Sequence, residues 1–193
     1  MDIYDELGVT KVINGAATLT QLGGSLMAPQ VLAAMAEAAQ HFVDIDELHQ
    51  KVGQRIAAWT QNEAAYVSCG AAAGLALSTA AAITGLDAEK RARLPHTEGM
   101  KNEVIVHRRG YVGYAFAIQQ AGGKIVRIGT DEGATARDLE GAINDRTAAI
   151  FYFYNPARME GQVPLEQGIE IARQSNVPLI VDAAAQIPPV DNL

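Results

Sequence analysis

The chain has 193 residues, 49% hydrophobic and 19% charged, the balance of a packed globular protein rather than a disordered segment. Its 15 basic and 22 acidic residues leave a net charge of −7, which disfavours an electrostatic grip on nucleic acid or anionic membrane. A single cysteine, Cys69, excludes an intrachain disulfide, and the acidic start MDIYDELGVTK lacks an apolar signal core, so a soluble cytoplasmic setting is expected.

In chain order, APQVLAAMAEAAQHF places Val31, Met35, Ala38 and Phe42 on one helical face, with Pro29 suited to the first turn. DELHQKVGQRIAAWT repeats the pattern with Leu48, Val52, Ile56 and Trp59. AAYVS (64–68) reads as a short strand, followed by a helix of small residues over 69–85. Its Ala71–Ile83 stretch is too short to cross a bilayer. The polar, irregular stretch 86–101 reads as an exposed excursion.

Strands are predicted at 102–107, over KIVRIG, at 147–154 and over VPLIVD; helices at 111–121, over ARDLEGAI and at 165–174. Gly122 and Gly123 close the first of these helices. Near-continuous apolar strands separated by helices argue for an α/β fold, a mostly parallel sheet with helices on both faces.

In such sheets ligands bind beyond the carboxyl ends of the strands, so the residues just past each strand are the candidates. After AAYVS, Cys69-Gly70-Ala71-Ala72-Ala73-Gly74 opens a helix. Small residues there either bring backbone N–H groups close to a phosphate or simply allow tight helix–sheet packing. Neither the G-x-G-x-x-G nor the G-x-x-x-x-G-K-[ST] nucleotide pattern is present.

After the second strand stand His107, Arg108, Arg109 and Tyr111. A ring here can lie against a flat ligand, and an arginine fork can hold a carboxylate or phosphate; the alternative is a solvated loop cluster. Asn155-Pro156 after the fourth strand is a turn signal that also offers an amide to the crevice. Asp182 ends the fifth strand, where a buried carboxylate needs a partner: a helix to cap or a cationic ligand atom. In DIDELH, Asp44 or Asp46 reads as the cap of the following helix rather than a metal ligand, and the four histidines lack metal-ligand spacing. Cys69 reads as a small core thiol rather than a nucleophile.

Taken together and in this order, the small-residue turn, the Asn-Pro after a middle strand and VDAAAQ after the next resemble the large domain of fold-type-I pyridoxal-phosphate (PLP) enzymes, the aspartate aminotransferase-like fold. KVINGAATLTQLGGSLM and SCGAAAGLAL further resemble the selenocysteine synthase-like group, which holds L-seryl-tRNA selenium transferase relatives and D-glucosaminate-6-phosphate ammonia-lyase. The likeness runs from about Tyr4 to Leu193.

The resemblance implies pyridoxal 5'-phosphate as cofactor, its phosphate cradled by Gly70, Ala71 and Ala72. It implies that Asp182 pairs with the pyridinium nitrogen, so the ring can act as an electron sink, and that Asn155 hydrogen-bonds the phenolic oxygen. His107 is the candidate for stacking on the ring, with Tyr111 second. Asn14, Thr18 and Arg109 are candidates for substrate contact. Gln186 stands four residues after Asp182, where the cysteine-desulfurase branch has a Gln three after.

The implied function is a lyase or transferase acting on an amino acid or amino-sugar acid through an external aldimine and a quinonoid, with elimination of ammonia preferred. A homodimer or higher homo-oligomer is implied as well. No lysine follows Asp182: Lys11, Lys51, Lys90, Lys101 and Lys124 all precede it, so the Schiff-base lysine of the family pattern is not in this chain.

On this reading residues 1–50 are an N-terminal segment of helices. Residues 51–193 are the N-terminal part of the PLP-binding large domain, with its C-terminal part and the small domain absent. The alternative is a non-catalytic fragment that binds phosphate or PLP without a covalent bond, or folds only with a partner chain.

Overall fold

A computed structural model of the chain describes residues 2–16, 18–110, 113–155, 159–184 and 186. Among them four strands form one sheet: β1 (Glu103–His107), β2 (Lys124–Ile128), β3 (Thr147–Phe153) and β4 (Leu179–Asp182). All neighbours are parallel and the order is β2-β1-β3-β4. Every residue of β1 and β3 is buried, the polar ends Glu103, His107 and Thr147 included, as befits central strands covered on both faces. The α/β class and parallel sheet expected from the sequence are borne out.

The chain divides into two units, residues 1–52 and 53–193. In the first, α1 (Ile3–Glu6) is held by a capping box between Asp2 and Asp5, and Lys11 bridges both carboxylates at 3.0 and 2.9 Å. α2 (Pro29–Ala38) has proline in its first turn, and none of its residues is buried.

Past α3 (Ile45–Thr60), the helices of the second unit are α4 (Ala71–Thr84), α5 (Ala88–Arg93), α6 (Phe116–Gln120), α7 (Ala136–Ala142) and α8 (Leu165–Gln174). Side-chain alternation sorts the core into two layers. Val104, Val106, Ala149, Phe151 and Phe153 pack with Leu75 of α4 and Ala117 and Ile118 of α6. Ile105, Ile150 and Tyr152 face the other way, onto Leu139 of α7 and Ile171 and Ala172 of α8. Successive strand residues point to opposite faces, so this split follows directly from the sequence.

Three expectations change. AAYVS (64–68) is not a strand: its backbone joins no ladder among the described residues, and Tyr66 is 69% exposed. β propensity alone does not hold an extended segment that has no neighbouring edge to pair with. The excursion 86–101 is better anchored than its polarity suggests. Asp87 caps α5 by accepting from Glu89 N and Lys90 N, and Thr97 and Met100 are buried. Thr97 Oγ1 donates to Gly122 O at 2.9 Å and accepts from Asn102 Nδ2. Of the helix predicted over 111–121, the described residues form a 3-10 turn at Gly113–Ala115 leading into α6, which ends at Gln120.

Candidate active site at the carboxyl ends of the strands

α4 runs against the sheet in the direction opposite to the strands. Near its middle, Thr79 lies beside Gly123 at the start of β2, and near its end Ile83 packs with Ala148 at the start of β3. Its first turn therefore lies toward the carboxyl ends. Gly70 precedes that turn with φ 111°, a left-handed region that favours glycine, and no side chain caps the helix. Ala71 and Ala72 are exposed, and the first N–H groups of a helix have no partner within it. The nearest side-chain bond is Ser68 Oγ donating to Gly70 O at 3.1 Å.

Asp182 is the last residue of β4 and stands opposite Phe153 of β3. It shares a face with Ile180, which packs on the layer that holds Leu75 of α4. The acid and the uncapped helix start are thus on the same face of the sheet at the same end. Asp182 Oδ1 accepts from Ala184 N at 3.1 Å, an Asx turn, and no described residue holds Oδ2. Tyr154 N donates to Asp182 O at 2.9 Å, which fastens the ends of β3 and β4 together. Gln186 Nε2 donates to Tyr154 O at 3.3 Å and reinforces the same junction. Half-buried Asn155 follows at that end.

His107 does not join them. Val106 pairs with Phe151 and Phe153 with Asp182, so the next residue of β1 points to the opposite face. There the His107 ring, 4% exposed, meets Tyr152 with centroids 4.6 Å apart and planes at 65°. A ring so enclosed offers no open face to a stacked cofactor, and the stacking role expected of it does not fit this placement. Burial pushes His107 down to about 4. Burial, and then the charge of Glu166, pushes Tyr152 up to about 12. The second stacking candidate, Tyr111, lies outside the described residues.

Arg109 is engaged elsewhere. Its Nη1 donates to Asp131 O at 3.1 Å, its Nη2 lies 4.0 Å from Glu160 Oε2, and its stem lies against Gly161. In the first unit, exposed Asn14 accepts from Ala16 N through Oδ1 at 2.8 Å, and exposed Thr18 follows in the same segment. Lys101 precedes β1 and Lys124 opens β2, both at the amino ends of the strands, opposite the crevice. Asp44 Oδ1 accepts from Glu47 N at 2.9 Å, the capping geometry read from DIDELH. Cys69 is exposed, contrary to the core thiol expected. No cluster of metal-ligating side chains occurs among the described residues.

Residues 32–189 match the DegT/DnrJ/EryC1/StrS aminotransferase family. The chain belongs to that family. A D-glucosaminate-6-phosphate ammonia lyase of Salmonella typhimurium is 40% identical over 190 residues, which is 96% of this chain and 52% of that protein. A 5'-C-glycyluridine monooxygenase-decarboxylase of a Streptomyces species is 34% identical, over 95% of this chain and 48% of its own length.

A solved structure of D-glucosaminate-6-phosphate ammonia-lyase superposes with a TM-score of 0.92 over 97% of this chain and 52% of its own. The chain thus spans about half the length of the curated relatives it matches. The resemblance drawn from the sequence is borne out, and with it the fold-type-I architecture. Among the described residues no helix is long and apolar enough to cross a membrane.

The signal that the sequence reading missed is Tyr152, the buried neighbour of His107. Alternation along TAAIFYFY places Tyr152 on the face of Ile150, but only the register between strands reveals its neighbour.

Proposed function

We propose that this chain supplies the cofactor cradle of a pyridoxal 5'-phosphate-dependent lyase that releases ammonia from an amino-sugar acid phosphate. The observation that supports this most is the pairing of two features at one end of one sheet face: the uncapped start of α4 and the carboxylate of Asp182. They offer an anion site and a cation partner to a flat molecule with phosphate at one side and a ring nitrogen at the other. The 40% identity to the ammonia lyase along nearly the whole chain favours that substrate class.

In this reading the backbone N–H groups of Gly70, Ala71 and Ala72 bind the phosphate, where the helix dipole favours negative charge. Asp182 Oδ2 accepts a hydrogen bond from the protonated ring nitrogen and keeps the proton there. Asn155 orients the ring through its phenolic oxygen. When bound, the cofactor supplies an electron sink that makes the substrate's Cα–H acidic. The Asx turn at Asp182 and the Tyr154–Asp182 backbone bond hold the carboxylate in place, so little reorganisation is needed when charge develops.

The working protein is read as a cytoplasmic homodimer or larger homo-oligomer. Exposed Val31, Leu32 and Met35 on α2 are apolar surface suited to burial in such an assembly.

The full-length enzyme should release ammonia from D-glucosaminate 6-phosphate only when loaded with pyridoxal 5'-phosphate. Release of carbon dioxide in place of ammonia would move the assignment toward the chemistry named for the glycyluridine relative. Loss of cofactor dependence would overturn it.

A further inference from the structure

Gln186 is half-buried in the turn that follows β4, and its side chain reaches across to the end of β3. Its Nε2 donates to Tyr154 O at 3.3 Å, while its backbone N donates to Ala183 O at 2.9 Å. Tyr154 N in turn donates to Asp182 O at 2.9 Å, and Ala184 N donates to Asp182 Oδ1 at 3.1 Å. Tyr154 is thus held through both of its backbone polar groups by the segment that carries Asp182.

The pairing of β3 with β4 ends at Phe153 and Asp182, so Asn155 lies two residues past it. A chain that has left its sheet is freer than the strand before it. Pro156 follows Asn155 and has no N–H with which to tie the chain down. The Gln186 amide supplies a tie at the residue before. A trans peptide is planar, so fixing Tyr154 O also fixes the plane of the bond to Asn155 and the point from which the Asn155 side chain departs.

We propose that Gln186 is a positioning residue that acts through Tyr154 O to aim the Asn155 amide at the cofactor's phenolic oxygen. The same turn carries Asp182, so the contact to that oxygen and the contact to the ring nitrogen are set together. This rests on the roles proposed above for Asn155 and Asp182. The competing account is that Gln186 donates directly to the phenolic oxygen.

The test uses the full-length enzyme loaded with pyridoxal 5'-phosphate and reads two signals: the pH midpoint of the cofactor's visible absorbance and the ring-nitrogen NMR signal. A donor on the phenolic oxygen favours the state with one proton fewer and more charge on that oxygen, so its loss raises the midpoint. Wild type is compared with Asn155→Ala, Gln186→Ala, Gln186→Met and the double variant Asn155→Ala/Gln186→Ala. Gln186→Met keeps the length of the side chain and removes the donor without adding charge.

Asn155→Ala should raise the midpoint by about one pH unit, and each Gln186 variant by about half a unit, the scale of one hydrogen bond. All three should keep the ring nitrogen protonated, because the Tyr154–Asp182 and Ala184–Asp182 bonds remain. A general loosening of the site would move both signals, and that result overturns the proposal. The double variant should match Asn155→Ala. A further rise in the double variant overturns the proposal in favour of direct contact. A midpoint unchanged in both Gln186 variants, with Asn155→Ala shifted, overturns it and leaves the role of Asn155 standing. No shift in Asn155→Ala removes that role and the proposal with it.

Discussion

Tyr152 and His107 meet edge to face on adjacent strands beneath the carboxyl ends of the sheet, and neither ring's polar atoms find a hydrogen-bond partner among the described residues. The Tyr152 hydroxyl lies against Gly168 of α8, and both imidazole nitrogens are buried. A buried polar atom without a partner costs about 1–3 kcal/mol.

Tyr152→Phe removes one such atom and leaves the ring in place. The variant should be more stable than wild type by about 1 kcal/mol in urea denaturation. A loss of stability of that size would mean that the hydroxyl is satisfied.

The imidazole makes the fold sensitive to acid. Folded His107 titrates at about 4, below its ordinary value of 6.5, so between those pH values the unfolded chain binds a proton that the folded chain does not. This group's effect on stability is flat above pH 6.5 and declines as pH falls from 6.5 to 4, by on the order of 3 kcal/mol in total. Denaturation series at pH 7 and pH 4.5 for wild type and His107→Phe should show a smaller drop in the variant. Equal drops would place the acid sensitivity elsewhere.

Gly168 of α8 is the floor under Tyr152. A Cβ there would collide with the Tyr152 hydroxyl and stand 2.7 Å from its Cζ. Gly168→Ala should destabilise by about 1–3 kcal/mol through overpacking. Adding Tyr152→Phe should recover part of that loss, because the clashing oxygen is gone. Strict additivity of the two changes would show that the contact is not the cause.

At the other end of β1, buried Glu103 is kept ionised first by the Asn144 amide and also by the charge of Arg146, which together hold its carboxyl below the usual range. Asn144→Ala should cost about 1–3 kcal/mol at neutral pH by leaving a buried carboxylate one donor short. Because Glu103 is depressed, its contribution is present above the ordinary glutamate range and is lost as pH falls through the folded value. The penalty of Asn144→Ala should therefore shrink in acid. A penalty independent of pH would remove Glu103 from the explanation.

The sheet was legible because the interiors of β1 and β3, residues 104–106 and 148–153, are continuous runs of apolar and aromatic residues, the pattern of strands buried on both faces. AAYVS carries the same local signal, yet pairing depends on a neighbouring edge, which no local pattern encodes. Asp182 and Asn155 were legible as residues just past strand ends. The side to which His107 points was not, because its relation to Asp182 requires two registers in succession, Val106 with Phe151 and Phe153 with Asp182.

In the proposed cradle, Asp182 holds a proton on the ring nitrogen of a cofactor whose phosphate lies at Gly70, Ala71 and Ala72. Ring-nitrogen NMR of the full-length enzyme loaded with isotopically labelled pyridoxal 5'-phosphate reads that proton directly. A protonated ring at neutral pH in wild type and an unprotonated ring in Asp182→Ala, with ammonia release abolished and the fold intact, are the expected results. An unprotonated ring in wild type, or the same signal in both proteins, would contradict that role of Asp182.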